Sequence, residues 1–205
     1  MVKEQKNDFS ELLKVQSVSN CLLMARNPSI CAGALAELAK AEELAIRFEV
    51  ARNKKTSAKT LAVLAKDEFR CVRLAVCGNP HTSEETLAAL AKEDDAYIRC
   101  AIARNINTPA ETLTALAKEE DFQIRWWAAQ NRSTPVEVLN ELEQDVYEDP
   151  RIRKAASLAK SQKDLLSPKM PVEPVSRRKD AEHVKPSLRT LFALGQFRRS
   201  DSAGL

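Results

Sequence analysis

Five cysteines, two histidines and a row of four arginines are the residues of this chain with the reach for chemistry. A zinc or iron–sulfur site needs clustered cysteines such as C-x-x-C, because its ligands must converge on one centre. Cys21, Cys31, Cys71, Cys77 and Cys100 have no such spacing, so no metal and no cofactor are expected. Cys77 stands where Ala51 and Ala103 stand in neighbouring units, the place of a small core residue. A nucleophile needs an adjacent base and a group that orients it. Neither His81 nor His183 has an identifiable acid or serine partner. With only four glycines, the chain has no glycine-rich phosphate loop. No catalytic residue emerges, and the chain reads as a protein that is not an enzyme.

The arginines are more informative. Arg47, Arg73, Arg99 and Arg125 recur at one position of a repeating unit. In a stack of packed helices they would stand in a line, about 10 Å apart. Such a ladder could hold phosphates or an acidic peptide. It could equally pair with the acid four residues earlier, or with a neighbouring unit's acidic linker. Glu43, Asp95 and Asp121 supply that earlier acid in three of four cases, with Phe69 in the fourth. Because the acid travels with the arginine, the row is read as structural.

The elements that position these residues share one period of 26. Asn27, Asn53, Asn79, Asn105 and Asn131 coincide, as do Leu35, Leu61, Leu87, Leu113 and Leu139. Leu38, Leu64, Leu90, Leu116 and Leu142 follow three residues later. A fixed period of this length is the signature of a repeat architecture. Each unit between residues 18 and 160 reads as two short helices. Stripes such as Ile98, Ala101 and Ile102 mark the first, and the Asn after it is expected to close the helix in the left-handed conformation. Thr108-Pro109-Ala110-Glu111 opens the second as a capping box, with Pro at the first helical position. Thr134 to Glu137 and Thr82 to Glu85 repeat that signal, whereas in the second unit Lys59 replaces the Glu and Thr56 is expected to cap alone. The Thr hydroxyl is expected to accept from the backbone N–H three residues on. After Gln144 the register slips by two, and Pro150 opens a half repeat ending near Lys160.

Three domains are therefore expected. Residues 1–17, with Phe9, Leu12 and Leu13 on one face, form an N-terminal capping helix. Residues 18–160 form an all-α solenoid of about five two-helix repeats plus a C-terminal half repeat. Residues 161–205 form a disordered, Pro-rich basic tail with a short amphipathic helix over Ser187–Arg199.

Composition fits. The chain is 44% hydrophobic but only 5% aromatic, which suits stacked helices rich in Ala and Leu. From Ser161 onward nine Lys or Arg accompany five Asp or Glu, leaving 23 basic and 24 acidic residues in 1–160. The overall +3 thus originates in the tail, and the repeats are not a basic surface as a whole. No secretory signal or transmembrane stretch is visible, and an odd number of cysteines suits reduced thiols, so a cytoplasmic protein is expected.

The run Ile98-Arg99, Ala103-Arg104-Asn105, Thr108-Pro109, Leu113 and Leu116-Ala117 resembles the repeat of the leucine-rich repeat variant family. The resemblance covers about residues 18–160. It implies a right-handed superhelix of alternating short helices, one of them of α or 3₁₀ type, with no enzymatic activity in the repeats. The unit here is slightly longer than the family's usual one, which leaves room for both helices to be α. A founding member carries a cysteine-ligated iron–sulfur cluster ahead of its repeats, for which this chain has no matching cysteines.

Function must then lie in how the repeats differ. The face of the first helix opposite Ile98 and Ile102 reads Ala45, Phe48, Arg52; Cys71, Leu74, Gly78; Tyr97, Cys100, Arg104; and Gln123, Trp126, Gln130. Aromatic and arginine side chains mixed on one exposed face are the composition of protein-binding surfaces. Phe48, Arg52, Leu74, Tyr97, Arg104 and Trp126 are therefore the expected partner-binding residues, and the partner another protein or a peptide segment. Packing by neighbouring helices is the competing account, since Trp127 beside Trp126 requires one indole to point inward. The alternative function is a nucleic-acid-binding solenoid. There Arg52, Arg104 and the row Arg47 to Arg125 would track phosphates, helped by Arg177-Arg178-Lys179 of the tail. Near-neutral repeats with acidic linkers weigh against it.

Overall fold

The computed structural model describes residues 16–166. The expected capping helix, apart from its last two residues, and the tail beyond Leu166 lie outside them. Eleven α-helices and no strand occur among the described residues, all within one compact unit. Six first helices are α1 (Val18–Arg26), α3 (Leu44–Arg52), α5 (Arg70–Cys77), α7 (Ala96–Arg104), α9 (Phe122–Gln130) and α11 (Pro150–Leu166). Five second helices alternate with them: α2 (Ala32–Leu38), α4 (Ala58–Leu64), α6 (Glu84–Leu90), α8 (Ala110–Leu116) and α10 (Val136–Gln144). Both members of every pair are α-helical. The last helix runs past Lys160 to Leu166, so the start of the expected linker is helical.

The helices stack in sequence order. Each first helix packs on the next, α1 on α3 through to α9 on α11, and each second helix packs on the first helix that follows it. Three apolar rows make this possible. Ile46, Val72, Ile98, Ile124 and Ile152 are fully or almost fully buried, as are Leu35, Leu61, Leu87, Leu113 and Leu139. Val50, Val76 and Ile102 complete the interior with Ala128 and Ala156. Each large side chain contributes about 1.5–3 kcal/mol by leaving water. One seven-residue helix could not hold its shape alone, and stacking supplies the stability.

The asparagines do not close their helices in the left-handed conformation. Asn53, Asn105 and Asn131 are extended, with ψ between 126 and 132°. Their side chains instead join neighbouring repeats. The Asn79 Nδ2 donates to the carbonyls of Ala51 (2.7 Å) and Asn53 (3.0 Å), and Asn53, Asn105 and Asn131 do the same one unit earlier or later. Each Oδ1 accepts the backbone N–H two residues on, as from Lys55 and His81. The first acceptor carbonyl always belongs to a buried Ala or Cys: Ala25, Ala51, Cys77 or Ala103. A small residue there lets the next loop come close.

The capping box is corrected. Thr56, Thr82, Thr108 and Thr134 are buried and donate their hydroxyls back to the carbonyls of Val50, Val76, Ile102 and Ala128, six residues earlier. They satisfy the end of the first helix, not the start of the second. The caps sit one residue later. Ser57 and Ser83 accept from the N–H groups of Thr60 and Thr86, and Pro109 and Pro135 occupy the cap without a side-chain bond. A turn closed by the Thr N–H on the Asn carbonyl brings each hydroxyl inward, as from Thr108 to Asn105.

Candidate functional site

The stacking of first helices lines up their outward side chains into rows one repeat apart. Phe48, Leu74, Cys100 and Trp126 form the middle row, half-buried and packed against the core. Beside it run the exposed rows Ala45, Cys71, Tyr97, Gln123 and Arg52, Gly78, Arg104, Gln130. The six expected binding residues thus separate into a floor (Phe48, Leu74, Trp126) and a rim (Arg52, Tyr97, Arg104). Tyr97 is 67% exposed, the most open of the four aromatic or aliphatic candidates in the floor and rim.

Cations lie over the rings. The Arg52 guanidinium is 5.6 Å from the Phe48 ring centre, Arg70 is 4.8 Å from Tyr97 and Arg104 is 4.4 Å from Trp127. Such stacking holds a long side chain against an apolar surface and keeps its charge at the rim. Trp126 and Trp127 meet edge to face, with centroids 4.6 Å apart, and both are half-buried. Neither indole is fully buried, so the pair does not divide into one inward and one outward ring.

Hollows mark this face. The widest, about 1060 Å³, is bordered by Arg26, Arg52, Lys54, Lys55 and His81 with Glu49. One of about 360 Å³ lies by Gly78, Ala101 and Arg104, and one of about 320 Å³ by Trp126, Arg151 and Leu158. Sequence reading missed Arg26, Lys54, Lys55 and Leu158. The lysines sit in the loop after the Asn, where the period shows only variability.

The four ladder arginines point elsewhere. Arg47 Nε lies 2.6 Å from Asp67, Arg73 Nε 3.1 Å from Glu93, Arg99 Nε 3.1 Å from Glu119 and Arg125 Nε 2.8 Å from Glu148. Each acid belongs to the next linker. The Arg99 contact is out of line for a hydrogen bond, leaving that buried Nε without an acceptor. Each arginine also donates through Nη1 to its own linker's carbonyls, as Arg125 does to Glu119 (2.8 Å) and Glu120 (2.6 Å). The acids four residues earlier do other work: Asp95 and Asp121 accept the N–H groups at the starts of α7 and α9. Glu148 takes the place of Asp145: α10 has nine residues where the other second helices have seven, so the linker after it begins two residues later in the repeat.

The Asp67 hydrogen bond raises the Arg47 pKa further. Burial pushes the Cys77 thiol up to about 12, and it raises Cys100 as well, so neither is a ready nucleophile. Among the described residues no group of three His, Cys, Asp or Glu is arranged to hold a metal ion. No described helix is long and apolar enough to cross a membrane. The face can bind by shape, charge and stacking.

No family model and no curated protein matches the sequence. Among solved structures the chain is similar to one described as a leucine-rich repeat variant with a novel repetitive protein structural motif. That likeness has a TM-score of 0.54 at 21% identity and covers 75% of this chain. The chain spans 60% of the length of that protein. With its stacked helix pairs and 26-residue period, this chain has the leucine-rich repeat variant fold.

Proposed function

We propose that this protein is a non-enzymatic interaction scaffold that binds a segment of another protein along the exposed face of its first helices. The observation that carries this reading is the division of that face into a half-buried apolar floor at Phe48, Leu74 and Trp126 and a rim of Arg52, Tyr97 and Arg104. Interfaces draw their energy from aromatic and arginine anchors beside an apolar centre. Repeat solenoids present such surfaces over a long span. The exposed free thiols of Cys31 and Cys71 are compatible with a reducing compartment such as the cytosol, which is part of this reading.

A nucleic-acid-binding solenoid is the second reading. It draws on the cations around the widest hollow, but Arg47, Arg73, Arg99 and Arg125 already hold carboxylates of the chain itself.

The test is affinity capture with the full chain, followed by hydrogen exchange on the recovered complex. Protection confined to the first helices, and lost affinity in the folded double variant Tyr97→Ala, Arg104→Ala, would support the scaffold. Protection on the second helices, or capture of nucleic acid released by salt, would overturn it.

A further inference from the structure

The widest hollow differs in charge from the rest of the face. Arg26, Arg52, Lys54 and Lys55 border it with one carboxylate, Glu49. Glu49 lies 2.8 Å from Arg26 and 3.7 Å from Arg52 and is only 12% exposed, so it already stands between two cations. The side chains of Lys54 and Lys55 make no ion pair or hydrogen bond among the described residues. His81 closes the far side. Four cations against one anion, in a concave site, concentrate a positive potential that favours anionic groups.

Further along, the row of cations is interrupted. The rim row reads Arg26, Arg52, Gly78, Arg104, Gln130, so the third and fifth rungs carry no cation. Past Arg104 the last hollow sets Trp126 and the exposed Leu158 beside two further cations, Arg151 and Lys154. A uniform polyanion needs evenly spaced cations. This face offers a cationic cleft at one end and an aromatic and aliphatic anchor point at the other.

Resting on the scaffold reading above, we infer that the partner is an acidic peptide segment. Its Asp or Glu run occupies the cleft at Arg26, Arg52, Lys54 and Lys55, and a bulky apolar residue further on anchors beside Trp126 and Leu158. Three helix spacings separate α3 from α9, roughly 24–30 Å at 8–10 Å per packed pair. An extended chain covers roughly 3.3 Å per residue. The anchor therefore follows or precedes the acidic run by about seven to nine residues.

Fluorescence anisotropy on the full chain tests this with four probes. One peptide carries six glutamates and a tryptophan eight residues away, a second lacks the tryptophan, a third has glutamines for the glutamates, and the last is a single-stranded oligonucleotide of matching length. The expected result is that the complete peptide binds at least tenfold more tightly than any other probe. The folded variant Lys54→Glu, Lys55→Glu should lose at least tenfold for both glutamate peptides and leave the glutamine peptide unchanged. Equal binding of the glutamate and glutamine peptides would overturn the acidic assignment while the scaffold reading stands. A tighter oligonucleotide would overturn it in favour of nucleic acid. Failure of every probe to bind would overturn the assignment, while the footprint of the captured complex separately decides the scaffold reading.

Discussion

Arg47 and Asp67 meet across two repeats at 2.6 Å, with their side chains only 12% and 6% exposed. The same arginine also donates to the carbonyls of Ala41 and Glu42. One side chain thus ties the linker before its helix to the linker after it. Removing either partner strands a charge in a place that water barely reaches. Arg47→Met or Asp67→Leu should each cost about 3–5 kcal/mol, and the double variant should cost less than their sum. Urea titrations of the three proteins check this.

The same pair gives a pH dependence. Burial pushes the Asp67 carboxyl up, but hydrogen bonds from Arg47 and the Phe69 N–H, with the charges of Arg47 and Arg73, outweigh it. The pKa lies below its ordinary value of 3.8. The folded state therefore holds that proton less tightly than the unfolded chain, and its contribution is complete above the unfolded value. It is lost as the pH falls from 3.8 through the lower folded value. Asp67→Asn should be less stable at neutral pH and show a shallower loss in that acidic window, measured by urea midpoint against pH.

Arg153 offers the opposite case. Its Nε is buried with no hydrogen-bond partner among the described residues. An uncompensated polar group in that position lowers stability. Arg153→Leu should be neutral or raise the melting temperature, whereas Arg125→Leu should lower it by several degrees. Thermal melts of the two variants side by side decide between them.

The asparagine ladder should be costly to break. Asn79 is buried, and its amide serves the carbonyls of Ala51 and Asn53 and the N–H of His81. Asn79→Ala leaves those groups unpaired and should cost about 2–3 kcal/mol. Asn79→Asp should cost more, since it sets a carboxylate against two carbonyl oxygens. Calorimetry on both variants measures the order.

Thiol labelling should follow burial. Cys31 and Cys71 are exposed, whereas Cys21 and Cys77 are buried. A short pulse of iodoacetamide on the native protein should modify Cys31 and Cys71 first. Cys77, with its thiol pushed up to about 12, should react only after unfolding. Peptide mass spectrometry reads the order site by site.

The period of 26 residues and the rows of Leu, Ile and Ala by themselves determined the stacked helix pairs. Burial follows spacing when every unit is alike, because each side chain meets the same neighbours. The outward rows holding Phe48, Tyr97 and Trp126 were legible for the same reason. Bonding partners were not. The sequence offered Arg99 an acid four residues earlier and another twenty residues later, and only the stacking of linkers chose Glu119 over Asp95. It offered Thr108 a donor ahead and an acceptor behind, and the fold of the turn chose Ile102. Periodicity places residues in rows. Which row faces which is set by how one repeat sits on the next, and that geometry also gathered Arg26, Arg52, Lys54 and Lys55 around one cleft.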